Sequence, residues 1–225
     1  MNKAIRILGI ALAGALALTA AKGNWTATVT QTAQGAHVLG NPEAKVKLTE
    51  YVSYTCPHCS TFQQNSEAPM RLAYVMPGKV SVEVVNFVRD PVDLTAAMLT
   101  TCGDPKGFFK RHHDFLYAQD RWLTRMAATS EAQRKRWYAG DIPSRLRAIA
   151  SDFDFYEMMA KYGLTRAQVD RCLADTDRAE QLVAQTAAAQ EEGVRGTPSF
   201  ALDDVLLAGT HDWATLNPQI EARLD

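Results

Sequence analysis

The sequence predicts an α/β fold in which a small β-sheet is interrupted by a long helical segment. Strand-forming runs at residues 46–53 and 80–88 flank a helical stretch, and strand patterns return after residue 193. Of the 225 residues, 47% are hydrophobic, and 24 Lys and Arg are balanced by 25 Asp and Glu. This composition suits a packed core and excludes disordered and collagen-like classes. The net charge of −1 gives no general reason to expect nucleic-acid binding.

The first predicted elements are a strand, a helix and a second strand. The strand at residues 46–53 runs directly into a helix that continues to about Val75. Residues 76–78, Met-Pro-Gly, form a helix-ending sequence. The run at 80–88 is rich enough in valine to be a buried strand.

The stretch from residue 93 to 192 is predicted to be almost entirely helical. Its helical patterns cover residues 94–102, 107–118, 145–162, 166–173 and 177–192. A turn and strand then follow at 194–202, a short strand at 205–208, and a closing helix at 212–223 that is capped by Asp212. These patterns predict a domain in two parts, residues 22–92 and 193–225, with a helical insertion at 93–192.

Residues 1–21 have the three-part pattern of a secretory signal peptide. A positively charged start is followed by fifteen mostly apolar residues at 7–21, which end in small residues. An uncleaved membrane anchor or a buried helix is the alternative, but this run is short for a bilayer. We therefore expect export and a mature chain that begins between Ala21 and Trp25.

An oxidising compartment would allow the four cysteines to form disulfides. Cys56 and Cys59 are three residues apart, whereas Cys102 and Cys172 are far from that pair. Of the three possible pairings, the economical one joins Cys56 to Cys59 and Cys102 to Cys172. We expect the second bridge to be structural, with two free or regulatory thiols as the alternative.

The strongest chemical signal is Cys56-Pro57-His58-Cys59 at the predicted start of the first helix. With Cys56 as the N-cap, Pro57 takes the first helical position, where its missing N–H costs nothing. The Cys56 sulfur then faces unpaired backbone N–H groups and the positive end of the helix dipole, which stabilise a thiolate. Cys59 follows on the same side of the helix, and a protonated His58 would add positive charge. A stabilised thiolate makes the disulfide easy to reduce, which is the property of an oxidant.

Other uses of this motif fit the sequence less well. A zinc site would need a second pair of close ligands, but the remaining cysteines are far apart and His112 and His113 are adjacent. Haem attachment requires histidine directly after the second cysteine, where Ser60 stands. A purely structural disulfide in a four-residue ring would constrain little chain. We therefore predict no metal site and no cofactor.

Pro198 is a second candidate site residue. It follows Gly196 and Thr197 at the start of a predicted strand, where a trans proline is normally tolerated only at an edge. A cis Thr197–Pro198 bond would turn the backbone sharply and expose main-chain groups beside the cysteines. An ordinary trans proline is the alternative, and it is the commoner form.

Together these residues resemble the DsbA-type periplasmic thiol:disulfide oxidoreductases of the thioredoxin superfamily. The similarity covers most of residues 40–225. It rests on Glu50, the Cys56–Cys59 motif, the segment 85–87 and the Arg-Gly-Thr-Pro sequence at 195–198. The resemblance implies a thioredoxin-like fold with an inserted all-helical domain.

The resemblance also implies roles for individual residues. Cys56 is expected to be the nucleophile and Cys59 to resolve the mixed disulfide. Pro198 is expected to be cis and to lie against the active-site disulfide. Glu50 is expected to be a buried acid beneath Cys59 that moves protons when this thiol reacts, with an exposed strand residue as the alternative.

Two positions depart from the family pattern. The strand position that carries a lysine partner for this acid in some members is aligned with Val82, and Lys79 is the nearest lysine. Thr197 stands before the proline, where the best-known oxidases carry valine and where isomerases and reductases share threonine. Pro57 and His58 still point to oxidation.

The expected function is that of an exported protein dithiol:disulfide oxidoreductase. In the expected cycle, a thiolate of an unfolded or folding secreted polypeptide attacks the exposed Cys56 sulfur, and a second thiol releases the oxidised substrate. The resemblance implies a periplasmic location and reoxidation by a membrane quinone-linked thiol oxidase. We expect a monomer and no nucleic-acid partner. Two alternatives stay open: a disulfide isomerase or reductase, suggested by Thr197, and a non-catalytic chaperone or binding module.

Overall fold

The computed structural model describes residues 23–225, so the predicted signal peptide lies outside the described residues. The strands are β1 (Val29–Gln31), β2 (His37–Leu39), β3 (Val46–Val52), β4 (Val80–Asn86), β5 (Ser199–Leu202) and β6 (Val205–Leu206). They form one six-stranded sheet in the order β1-β2-β4-β3-β5-β6. β3 and β4 are parallel, and the other neighbouring pairs are antiparallel. The predicted α/β fold class, a thioredoxin-like sheet with many helices, is confirmed.

Helices make up most of the rest of the described chain. They are α1 (Pro57–Pro69), α2 (Pro91–Thr100), α3 (Phe108–Tyr117), α4 (Gln119–Ala127), α5 (Glu131–Arg136), α6 (Ile142–Asp152), α7 (Phe155–Ala160), α8 (Arg166–Leu173), α9 (Thr176–Glu191) and α10 (Trp213–Leu224). α1 is extended by a π-helical segment, Met70–Val75. The change of helix type comes directly after Pro69, which lacks the N–H that a regular α-helix needs at this position.

Several predicted elements differ from those observed. The single helix predicted over residues 145–162 is wrong, because Asp154 has a left-handed backbone (φ 57°) that separates α6 from α7. The strands β1 and β2 and the helices α4 and α5 were not predicted. The two short strands form by antiparallel pairing, with β1 on β2 and β2 on β4. Their three-residue lengths give too little alternation for a sequence signal.

The sheet buries a different set of side chains on each face. Successive residues of β3 point to opposite faces, so Leu48, Glu50 and Val52 share one face. Leu48 and Val52 join the main core, which also includes Cys59 and Phe62 of α1. The opposite face carries a smaller cluster formed by Tyr51, Phe87, Ala189, Val194 and Ala201. This arrangement places Glu50 on the same face as the cysteine-bearing helix.

The helical segment is joined internally by a disulfide. Cys102, two residues after the end of α2, is bonded to Cys172 in α8, with their Cα atoms 5.7 Å apart. Between β4 and β5, all the regular elements of the described chain are helical. The proposed domain boundaries near residues 92 and 193 stay predictions. No helix within residues 23–225 combines the length and apolar character needed to cross a membrane.

Candidate active site

The cysteine motif lies at the start of α1. Cys56 is the N-cap with an extended backbone (φ −96°, ψ 114°), and Pro57 occupies the first turn. The N–H of Cys59 donates to the Cys56 carbonyl oxygen at 3.1 Å, which closes the first turn. His58 is exposed on that turn. The helix therefore directs its free backbone N–H groups toward the Cys56 side chain.

Both cysteines of the motif are free thiols, so the structure describes the dithiol form. Cys56 is only 2% exposed and Cys59 is fully buried. The exposed Cys56 sulfur was expected of the disulfide form, so that expectation stays a prediction. The Sγ of Cys56 lies 3.1 Å from the Thr197 carbonyl oxygen, to which only the protonated thiol can donate.

Hydrogen bonds lower the pKa of Cys56 to about 5. The largest contribution is the hydrogen bond from the Cys59 thiol, and burial acts against it. The backbone N–H groups of Cys59 and His58 also favour the thiolate. Cys56 is thus ionised at neutral pH despite its burial.

The environment of Cys59 has the opposite effect. Burial raises the pKa of Cys59 well above its ordinary value, and the neighbouring Cys56 thiolate raises it further. At neutral pH the pair holds one proton, and this proton is on the Cys59 sulfur. The pair therefore has one thiolate, at Cys56, and one protonated thiol.

Pro198 and Thr197 are brought beside the cysteines. The Thr197–Pro198 peptide bond is cis, and the Thr197 carbonyl is the hydrogen-bond partner of Cys56. The carbonyl oxygen of Pro198 is held by Nδ1 of His211 at 2.8 Å. His211 was not among the predicted site residues. Its contact joins two loops that are distant in sequence, and no local pattern signals it.

Glu50 is buried beneath this region. Its side chain is 4% exposed, and its Oε1 has no hydrogen-bond partner within the described chain. Burial raises the pKa of Glu50 to about 8, so the carboxyl group is largely protonated at neutral pH. Its negative charge would raise the pKa of Cys59, which shows that the two groups are electrostatically coupled.

The strand register corrects the expected position of a lysine partner. Val84, and not Val82, lies opposite Glu50 on β4, and Phe200 lies opposite it on β5. Val82 lies opposite Leu48. Both neighbours of Glu50 are therefore apolar, and within residues 23–225 no cation pairs with it.

Gln119 links the helical segment to the motif. Its Nε2 donates to the carbonyl oxygens of Tyr54 at 2.7 Å and Cys56 at 2.9 Å. Gln119 is fully buried at the start of α4, an element that the sequence did not predict. The site is therefore built by the sheet, α1 and the helical segment together.

A family model described as Thioredoxin matches residues 32–222. A Rickettsia typhi protein provisionally named a protein-disulfide oxidoreductase is 28% identical over 170 residues, which are 75% of this chain and 54% of that protein. A Rickettsia bellii protein with the same provisional name is 27% identical and matches over 75% of this chain and 57% of its own length. The chain spans about half the length of the curated relatives it matches.

Solved structures are similar over most of both chains. The crystal structure of a protein-disulfide isomerase from Novosphingobium aromaticivorans is 52% identical, with a TM-score of 0.81, over 84% of this chain and 97% of that one. The crystal structure of Wolbachia pipientis alpha-DsbA1 has a TM-score of 0.68 and 21% identity, over 86% and 93% of the two chains. At that identity, the second similarity shows the fold alone.

Proposed function

The chain belongs to the thioredoxin family, and from this premise we propose that it is a protein dithiol:disulfide oxidoreductase. Its Cys56–Cys59 disulfide would be donated to unfolded or folding polypeptides with free thiols. The observation that carries the proposal is the difference in ionisation between the two sulfurs. Cys56 is a stabilised thiolate, whereas Cys59 is a buried, protonated thiol. That asymmetry gives one good leaving group and one resolving thiol.

The proposed cycle starts from the oxidised enzyme. A substrate thiolate attacks Sγ of Cys56, the Cys56–Cys59 bond breaks, and Cys59 leaves with the bonding electrons and takes up a proton. A second substrate thiolate then attacks the substrate sulfur of the mixed disulfide and displaces Cys56 as a thiolate. Two substrate thiols have become a disulfide, and the enzyme disulfide has been reduced to a dithiol.

Glu50 is proposed to supply the proton that Cys59 needs. A carboxyl group with a pKa of about 8 is protonated in the oxidised enzyme at neutral pH and can release a proton toward a forming thiolate. In the reverse direction it accepts the proton of Cys59. The strand neighbours of Glu50, Val84 and Phe200, are apolar and supply no positive charge that would favour the ionised carboxylate.

Thr197 and Pro198 are proposed to line the groove for the substrate. Polypeptide backbone would bind beside the Thr197 carbonyl, so selectivity for substrate sequence would be low. Pro57 and His58 are proposed to support the thiolate at the helix start. The Cys102–Cys172 bridge is proposed to be structural.

We also propose an extracytoplasmic, periplasmic site of action for a monomer exported by residues 1–21. A membrane quinone-linked thiol oxidase would return the dithiol to the disulfide. The signal-like pattern of the first residues and the presence of a disulfide at Cys102–Cys172 support an oxidising compartment.

The test is a stoichiometric assay with oxidised mature protein and a reduced, unfolded substrate protein. The wild type should form one substrate disulfide for each Cys56–Cys59 disulfide that it loses. Cys56→Ser should abolish the transfer, and Cys102→Ser/Cys172→Ser should retain it. Full transfer by Cys56→Ser would refute the role of the Cys56–Cys59 disulfide, and no transfer by the wild type would favour a non-catalytic binding role.

A disulfide isomerase or reductase is the second candidate function. It is favoured by Thr197 and by the 52% identity to the Novosphingobium aromaticivorans structure, which is named a protein-disulfide isomerase. The reduced protein should then rescue a scrambled substrate with mispaired disulfides faster than the oxidised protein oxidises a reduced one. The glutathione equilibrium of Cys56–Cys59 separates the two directions, because an oxidase has the more oxidising disulfide.

A further inference from the structure

The loop that precedes the cysteines is held by a buried carboxylate. Asp93, in the first turn of α2, is 1% exposed. Its Oδ1 accepts from the backbone N–H of Tyr54 at 2.7 Å, and its Oδ2 accepts from the Ser53 hydroxyl at 2.6 Å. Oδ2 also accepts from the Arg89 N–H at 3.0 Å. A buried carboxylate that accepts three donors fixes their relative positions.

The same loop contacts the N-cap cysteine through its backbone. The carbonyl oxygen of Ser53 accepts from the N–H of Cys56 at 3.2 Å. The backbone of Ser53 also lowers the pKa of Cys59, against the larger effect of burial. The position of Ser53 therefore affects the placement of the N-cap residue Cys56, although Asp93 contacts neither sulfur.

Helix capping does not account for Asp93. The N-cap of α2 is Asp90, whose Oδ1 accepts from the backbone N–H groups of Val92 and Asp93, each at 2.9 Å. Asp90 also accepts from the Thr55 hydroxyl at 2.8 Å. The side chain of Asp93 is thus free of the cap, and its three bonds go to the residues that lead into and out of the site.

We propose that Asp93 is a positioning residue for the disulfide reaction: it holds the Ser53–Thr55 loop in the place where its backbone supports the Cys56–Cys59 pair. The role of Asp93 in catalysis rests on the proposed function. Its effect on the pKa of Cys56 does not depend on that function. Loss of the anchor loosens the N-cap, so the Cys56 thiolate loses part of its support from the helix start. The disulfide then becomes harder to reduce.

The test compares Asp93→Asn with the wild type. Asparagine keeps the shape of the side chain, but its amide nitrogen cannot accept from Arg89 or from the Ser53 hydroxyl. We expect the titration midpoint of the Cys56 thiolate, followed by its ultraviolet absorbance, to rise by about one pH unit. The glutathione equilibrium should shift about tenfold toward the disulfide, because each pKa unit corresponds to a factor of ten.

A second variant and a matched control complete the experiment. Ser53→Ala removes one donor and leaves the Asp93 carboxylate with Tyr54 and Arg89, so it should shift both quantities in the same direction by less. Asp175→Asn changes the exposed N-cap of α9, which bonds to Arg178 N at 2.9 Å, and should shift neither. Circular dichroism verifies folding.

Unchanged thiolate and glutathione values in folded Asp93→Asn would overturn the proposal. If Asp93→Asn does not fold, unchanged values in Ser53→Ala would do so. A shifted midpoint in a protein whose wild type transfers no disulfide would instead refute the proposed function and leave the anchoring role intact. The two failures are therefore distinguishable.

Discussion

Two opposing effects meet at the residue scale in Cys56. Burial disfavours the thiolate, but hydrogen bonds to the sulfur outweigh burial and lower the pKa of Cys56 to about 5. The largest of these bonds comes from the Cys59 thiol. The acidity of the first cysteine is therefore mainly a property of the pair.

Removing the second sulfur tests this conclusion. In Cys59→Ala, the Cys56 thiolate should titrate at a pH at least about one unit above the wild-type midpoint, because its strongest donor is gone. The measurement is thiolate absorbance against pH, and the Cys102–Cys172 disulfide does not contribute to it. His58→Ala, which leaves the Cys59 thiol in place, serves as the comparison. An unchanged midpoint in Cys59→Ala would show that the N–H groups at the helix start, and not the Cys59 thiol, mainly lower the pKa of Cys56.

Glu50 gives a prediction for stability against pH. Its pKa is raised by burial from 4.5 to about 8 in the folded protein, so the unfolded chain ionises first. The protonated carboxyl stabilises the fold fully below pH 4.5, and this contribution is lost as the pH rises to about 8. The loss reaches about 5 kcal/mol at most, an order-of-magnitude figure from the width of that window.

Glu50→Gln should remove this dependence. The free energy of unfolding of the variant, relative to the wild type, should increase steadily between pH 4.5 and about 8 and then level off. Denaturant unfolding at several pH values measures it. Asp93 adds a slope of the same sign in both proteins, since burial raises its pKa to about 7, so only the difference between them is informative. Parallel curves would contradict the assignment.

The sequence predicted the residues whose roles are set locally and missed those set by distant contacts. Cys56 and Pro57 begin α1 as expected, because N-cap and first-turn preferences depend on a few neighbouring residues. Other contacts join residues that are far apart in sequence. Asp93 is 39 residues from its partner Tyr54. Gln119 is 65 residues from Tyr54 and 63 from Cys56, and His211 is 13 residues from Pro198. No spacing rule connects such positions without a fold.

At the scale of elements, the sequence predicted the helices and strands that have a clear hydrophobic periodicity. α8 was predicted with its observed bounds, and β3 and β4 within two residues of theirs. The division between α6 and α7 depends on one left-handed residue, Asp154, that leaves the helical pattern of side chains nearly intact. β1 and β2 depend on pairing with β4, which is a long-range property.

The disulfide between the end of α2 and α8 should stabilise the protein mainly through the unfolded state. It closes a loop with a sequence separation of 70 residues. Replacing Cys102 and Cys172 by serine should lower the free energy of unfolding by about 4 kcal/mol in the loop-entropy model. Denaturant unfolding of oxidised proteins measures the change. The glutathione equilibrium of Cys56–Cys59 should stay the same, and a large change there would assign the bridge a redox role.

At the scale of the whole molecule, the helical segment and the sheet meet at Gln119. This fully buried amide donates to the carbonyls of Tyr54 and Cys56. Gln119→Ala leaves both carbonyls without their donor and creates a cavity, so the free energy of unfolding should fall by about 2–4 kcal/mol. Gln190→Ala, at an exposed position of α9, should change it by less than about 0.5 kcal/mol. Similar values for the two variants would refute the role of Gln119 as the link.

The occlusion of Cys56 has a kinetic consequence for the entire molecule. With only 2% of the residue exposed in the dithiol form, most encounters between the Cys56 sulfur and a disulfide of another molecule are unproductive. The observed rate constant is then the intrinsic one multiplied by the fraction of molecules that are transiently open. The turnover rate can therefore change with the mobility of the loop that carries Thr197, while the pKa of Cys56 stays the same. Two homologues with identical redox potentials can differ widely in turnover for this reason alone.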